Sequence, residues 1–171
     1  MKYVMYMHGG SGNHGCEAIV RTTAKMLGGP ENVVLWSTGK QEDMAYGAAA
    51  WMEKILVSEE LRRFSPGYFE ALFRRKLMKQ PDANMNVFLR ENFKGNIAVS
   101  VGGDNYCYPG TEHLAPINRN LRKKGVKTVL WGCSVEPDLL EGETLEDLRA
   151  YQLIVARESI TEEAMKEKGL P

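Results

Sequence analysis

The sequence has no surplus of charge: 22 lysines and arginines balance 22 aspartates and glutamates across 171 residues. A domain that grips nucleic acid or an anionic surface through its overall field needs a basic excess, so nucleic acid is not expected as a partner. Long apolar runs are missing too. The longest fall far short of the roughly 20 residues that cross a bilayer, and the opening "MKYVMYMHGG" lacks signal-peptide anatomy. Cysteine is scarce: Cys16, Cys107 and Cys133 are odd in number and widely spaced, fitting neither a disulfide framework nor a zinc pattern. The three histidines, His8, His14 and His113, are not at metal-ligand spacing, and no metal or cofactor is expected. These absences predict a cytoplasmic protein with reduced thiols.

What the sequence does have is rhythm. Short runs of β-branched and aliphatic residues recur at 3–7, 33–37, 54–57, 97–101, 126–131 and 153–156. Several are apolar on both faces, as strands covered on both sides must be. Helical patterns lie between them. Cys16, Ile19, Val20, Thr23, Met26 and Leu27 share one face before Gly28-Gly29-Pro30 stops the helix. Leu114, Ile117 and Leu121 mark a second helix ended by Gly125. Leu145 and Leu148 mark a third, and Ile160, Ala164 and Met165 a fourth ending at Gly169. Residues 58–95 read as an enlarged crossover of two helices split by Pro81. The alternation predicts a single α/β domain over 1–171 with a doubly wound, mostly parallel, Rossmann-like sheet.

In such sheets ligands sit beyond the carboxyl ends of the strands. Four stretches occupy that edge. The first is "HGGSGNHGCE", where Gly10, Gly12 and Gly15 fit G-x-G-x-x-G and Asn13 sits among them. Glycines there permit close backbone approach, and free N–H groups at a helix start favour an anion; a tight turn needing small residues explains them as well. A dinucleotide site also demands an acid at the end of the second strand, where Ser37 and Thr38 stand instead. No Gly-Lys-Ser/Thr follows, which excludes a Walker loop. The second stretch, "VSVGGDNYCYPG", offers Gly102, Gly103, Asp104, Asn105 and Tyr106. Asp104 is suited to orient or deprotonate a hydroxyl, or to a turn or helix cap. The third, "GCSVEP", presents Ser134 and Glu136. The fourth, "ARES", presents Arg157, an anion holder or the partner of Glu158 or Glu17, while Ser159 and Glu162 form an S-x-x-E capping box.

These four stretches resemble the polysaccharide pyruvyl transferase family. "GSGNHGCEAIV" is similar to its G-x-G-N-x-G-D-E-A turn, "VSVGGDNY" to its Gly-Gly segment, "GVKTVLWGCSVEP" to its G-V-K-x-x-x-x-G-x-S-x-x-P segment, and "VARESITEEAMKEKGL" to V-R-E-S-x-T-x-E-x-L-K-x-x-G. The likeness covers both ends of the chain and is patchy between about 40 and 95. Cys16 stands where the family carries Asp, so that carboxylate is lost or moved to Glu17.

The resemblance implies transfer of a pyruvyl group from phosphoenolpyruvate to a pair of sugar hydroxyls, closing a ketal. It needs an acid, a hydroxyl-orienting carboxylate and an anion cradle. Asp104 or Glu17 fits the carboxylate, His14 or His113 the acid, and the N–H groups of Gly12 to Gly15 the cradle, with no metal required. Partners would be phosphoenolpyruvate and a glycan acceptor, with membrane contact only peripheral if that acceptor is lipid-linked. The resemblance also implies the N-terminal half of a two-domain, GT-B-like fold. The stop at "KEKGLP" is then expected to precede a second α/β domain, with donor-phosphate contacts there and no transferase activity in the isolated piece. A glycosyltransferase using a nucleotide sugar and a non-catalytic sugar-binding domain are the competing expectations.

Overall fold

A computed structural model describes residues 2–57, 63–77, 91 and 93–171. Its strands are β1 (Tyr3–His8), β2 (Val33–Ser37), β3 (Lys54–Val57), β4 (Ile97–Tyr106), β5 (Lys127–Val135) and β6 (Leu153–Ala156). Its helices are α1 (His14–Met26), α2 (Lys40–Ala45), α3 (Pro66–Leu77), α4 (Ala115–Lys123), α5 (Gly142–Arg149) and α6 (Ser159–Glu167). The strands form one sheet in the order β3-β2-β1-β4-β5-β6, and every pairing is parallel. This is the doubly wound α/β fold that the strand-helix rhythm predicts.

The two faces of the sheet follow from alternation along the strands. Met5, Leu35, Val99 and Val101 point to the face covered by α1, through Val20 and Ala24. Val4, Tyr6, Val34, Trp36 and Ala98 point to the other, where α4 supplies Ile117 and Leu121. Val4, Val20 and Leu121 are fully buried, and each such side chain contributes about 1.5–3 kcal/mol of transfer free energy. The chain leaves β1 toward β2 and β3, then returns to lay β4 on β1's other side. The reversal makes a crevice at the carboxyl ends of β1 and β4.

Several details depart from the sequence reading. β4 and β5 run on through "GGDNY" and "GCSV", stretches expected to lie beyond the strands. Both are bent at their far ends, with register shifts between Gly103 and Tyr106 and between Trp131 and Cys133. Just before the first shift, at Gly102, a Cβ would lie 2.0 Å from the Gly132 carbonyl oxygen; only glycine admits this approach of the two backbones. Helix α2 was not expected. On α1 the inward positions are Val20, Thr23 and Ala24, while Met26 is 65% exposed. On α6, Ile160 faces solvent and Thr161 faces inward, its hydroxyl accepting from Val135 N–H at 2.9 Å. Ser159 is not the cap of that helix: Glu158 is, accepting from the Thr161 N–H at 3.3 Å. Of the two crossover helices, α3 is the first; the segment after Pro81 lies outside the described residues.

Candidate functional site at the β1/β4 crevice

The glycine-rich turn after β1 is closed by the protein itself. Glu42 of α2 places Oε2 3.0 Å from the Gly12 N–H. Asn13 caps α1, its side-chain oxygen accepting from Gly15 N–H at 2.8 Å and Cys16 N–H at 3.4 Å. Of the donors expected to cradle an anion across Gly12 to Gly15, Gly12 is thus engaged by a carboxylate and Gly15 by the Asn13 cap. Gly10 has φ +130, a conformation that L side chains rarely adopt; Gly12 does not, and a Cβ there would meet only the Glu42 carboxylate. Gly39 meets backbone there: a Cβ on it would lie 2.6 Å from the Gly9 carbonyl oxygen. That contact clamps the start of α2 against the turn.

The clamp delivers a residue that the sequence did not single out. Asp43, wholly buried on α2, lies 2.9 Å from His8 Nε2 at the end of β1 and accepts the Ser11 hydroxyl at 2.7 Å. Beside this pair the crevice opens into a cavity of about 210 Å³. Trp36, Leu114 and Ile117 give it apolar walls, and His8, Thr38, Asn105 and His113 bring polar groups. Asn105 Nδ2 donates to the carbonyls of Val101 (3.1 Å) and Met7 (3.3 Å). Met7 is itself left-handed, with φ 64, a position that costs an L residue about 1–3 kcal/mol. The strained residue, the bulge in β1 between Met5 and His8 and the Asn105 tether all converge on the cavity wall. His113 Nδ1 donates to the Gly110 carbonyl, which leaves Nε2 for a ligand.

The other expected site residues fall elsewhere. His14 is exposed, pairs with Glu17 at 3.0 Å and stands edge-on to the Tyr46 ring at 5.5 Å; neither His14 nor Glu17 lines the cavity. Asp104 is exposed on the α1 side of β4, accepts the Tyr108 hydroxyl at 2.9 Å and adds its charge to the burial that raises the Cys16 and Cys107 thiols. β1 and β4 are neighbours, as a shared crevice requires, but Asp104 and Glu17 stand outside the cavity at their ends. Gly102 and Gly103 serve the bend in β4. Tyr106 turns into the core, where its hydroxyl lies 3.1 Å from that of Tyr151 and Asn118 Nδ2 donates to it at 3.3 Å. Burial pushes its phenol well above the ordinary value, so it is a structural group.

Ser134 is buried beside Glu158, and exposed Glu136 donates its N–H to the Tyr106 carbonyl at 3.2 Å. Arg157 borders a different hollow, of about 350 Å³, between α1 and β5 on the opposite face of the sheet, with Ile19 and Trp131. Among the described residues no three His, Cys, Asp or Glu side chains gather as metal ligands, and no helix is long and apolar enough to cross a membrane. No protein-family model matches the chain, and no curated protein or solved structure gives a significant match.

Proposed function

We propose that this chain is the N-terminal α/β unit of a polysaccharide pyruvyl transferase-like enzyme. It moves the pyruvyl group of phosphoenolpyruvate onto a pair of sugar hydroxyls in the cytoplasm. The observation that carries the reading is the cavity at the β1/β4 reversal, where two histidines and an amide meet an apolar floor. Such a pocket can hold a small three-carbon unit and move protons, which is what ketal formation asks of a protein. The four motif stretches support the same reading.

The closed glycine turn argues against the nucleotide-sugar alternative. A diphosphate at the start of α1 would meet the Glu42 carboxylate, and β2 ends in Ser37 and Thr38 without an acid for a ribose. Among the described residues the cavity walls hold no lysine or arginine, so the donor phosphate must find its cations on other residues, as the family resemblance implies. The test is product analysis with the full-length protein. Incubation with phosphoenolpyruvate and a panel of hexosides bearing neighbouring or 4,6-hydroxyl pairs should release inorganic phosphate and form a ketal. Release of nucleoside diphosphate from a nucleotide sugar, or saturable glycan binding with no turnover, would overturn the proposal.

A further inference from the structure

His8 has one ring nitrogen already engaged. Its Nε2 faces Asp43 Oδ1 at 2.9 Å, and the two side chains are 1% and 0% exposed. Burial alone would raise the Asp43 carboxyl, but the hydroxyls of Ser37 and Ser11 and the His8 ring outweigh it and hold the group below its ordinary value of 3.8. A carboxylate only accepts, so Nε2 carries the hydrogen and Nδ1 is left as the working nitrogen of a residue in the cavity wall. Ser11 is fully buried and donates to the same carboxylate oxygen, which makes it a tether and not a nucleophile.

We propose that His8, held by Asp43, is the proton-transfer residue of the β1/β4 cavity: as the doubly protonated ring it delivers its Nδ1 proton to the methylene carbon of an enol phosphate and keeps its Nε2 hydrogen on Asp43. This rests on the pyruvyl-transfer reading and assigns its acid to His8 in place of His14. The double-bond pair of phosphoenolpyruvate takes the proton and forms the new methyl C–H bond, leaving an oxocarbenium carbon. One sugar hydroxyl adds to that carbon and its proton returns to Nδ1. Phosphate then departs with the C–O electron pair, and the second hydroxyl closes the ketal, its proton leaving on phosphate. Of the two hydroxyl protons one replaces that given to the methyl group and one ends on phosphate, with no oxidant or reductant. Asp43 touches no reacting atom; it is a positioning residue that turns Nδ1 to the cavity.

Two measurements test this. Long-range 1H–15N spectra of the full-length protein should show the neutral form of the His8 ring as a single Nε2–H tautomer, giving way to a mixture in Asp43→Asn. A wild-type ring that already mixes tautomers overturns the dyad whatever the reaction, and needs no variant to fold. In phosphate release from phosphoenolpyruvate with the hexoside panel, His8→Gln should lower kcat by about 100-fold or more. Asp43→Asn should lower it by about 10- to 100-fold, with KM for phosphoenolpyruvate little changed in either. Wild-type turnover with an undiminished His8→Gln overturns the role of His8 and leaves pyruvyl transfer standing. A wild type that releases no phosphate with any hexoside overturns the reaction and the role together, while the tautomer spectrum still reports on the dyad.

Discussion

His8 and Asp43 are 35 residues apart in sequence, yet Nε2 and Oδ1 meet at 2.9 Å with neither side chain reaching solvent. Removing the carboxylate leaves the buried donors His8, Ser11 and Ser37 without this acceptor. Asp43→Ala is expected to cost about 1–3 kcal/mol in urea-monitored unfolding. Asp43→Asn, which keeps an acceptor oxygen, should cost less.

The same carboxylate predicts an acid dependence. Its folded value lies below the ordinary 3.8, so its contribution to stability is present above that pH and is lost as pH falls through the depressed value. Stability of the wild type measured from pH 5 downward should therefore drop more steeply than that of Asp43→Asn. Parallel curves would contradict the prediction.

Gly39 and Gly12 should separate sharply on substitution. A Cβ on Gly39 meets the Gly9 and Gly10 backbone at 2.6 and 2.7 Å, so Gly39→Ala should cost about 1–3 kcal/mol, read as a lowered Tm. A Cβ on Gly12 meets only the free end of Glu42, which can swing away, and Gly12→Ala should stay within about 0.5 kcal/mol. Equal losses at both sites would show that the turn is not clamped as described.

The cysteines should be slow to react. Burial raises the Cys16 thiol, with Asp104 adding to it, and pushes Cys133 up to about 12. Iodoacetamide at neutral pH, followed by mass spectrometry, should label neither rapidly in the folded chain. Rapid, selective labelling of Cys16 would contradict the raised thiol.

The strands and five of the described helices, the crossover helix α3 among them, were legible because their signals are local: β-branched runs, a helical period and glycine or proline stops. Helix α2 was not. It has six residues, under two turns, and buries an aspartate where pattern reading looks for an apolar stripe. The edge of the sheet was legible for the same reason as the strands, but not which side chains share a cavity. Asn105 and Asp104 are neighbours in sequence and diverge to opposite sides of β4. Tyr106 reads as a polar edge residue until the strand is seen to continue and carry it into the core. His8 stood out only as a histidine near an edge; its partner comes from the short helix α2, clamped at Gly39, a contact no local pattern encodes.

The central claim is that the ligand enters the β1/β4 cavity and not the glycine turn, and the chain's three histidines make this directly measurable. Ring signals of His8, His14 and His113 would be followed in the full-length protein as phosphoenolpyruvate is added. The account predicts saturable shifts at His8 and His113 and at the Asn105 side-chain amide, with His14 unmoved. Shifts at His14 and the Gly12 to Cys16 amides, with His8 and His113 silent, would contradict it.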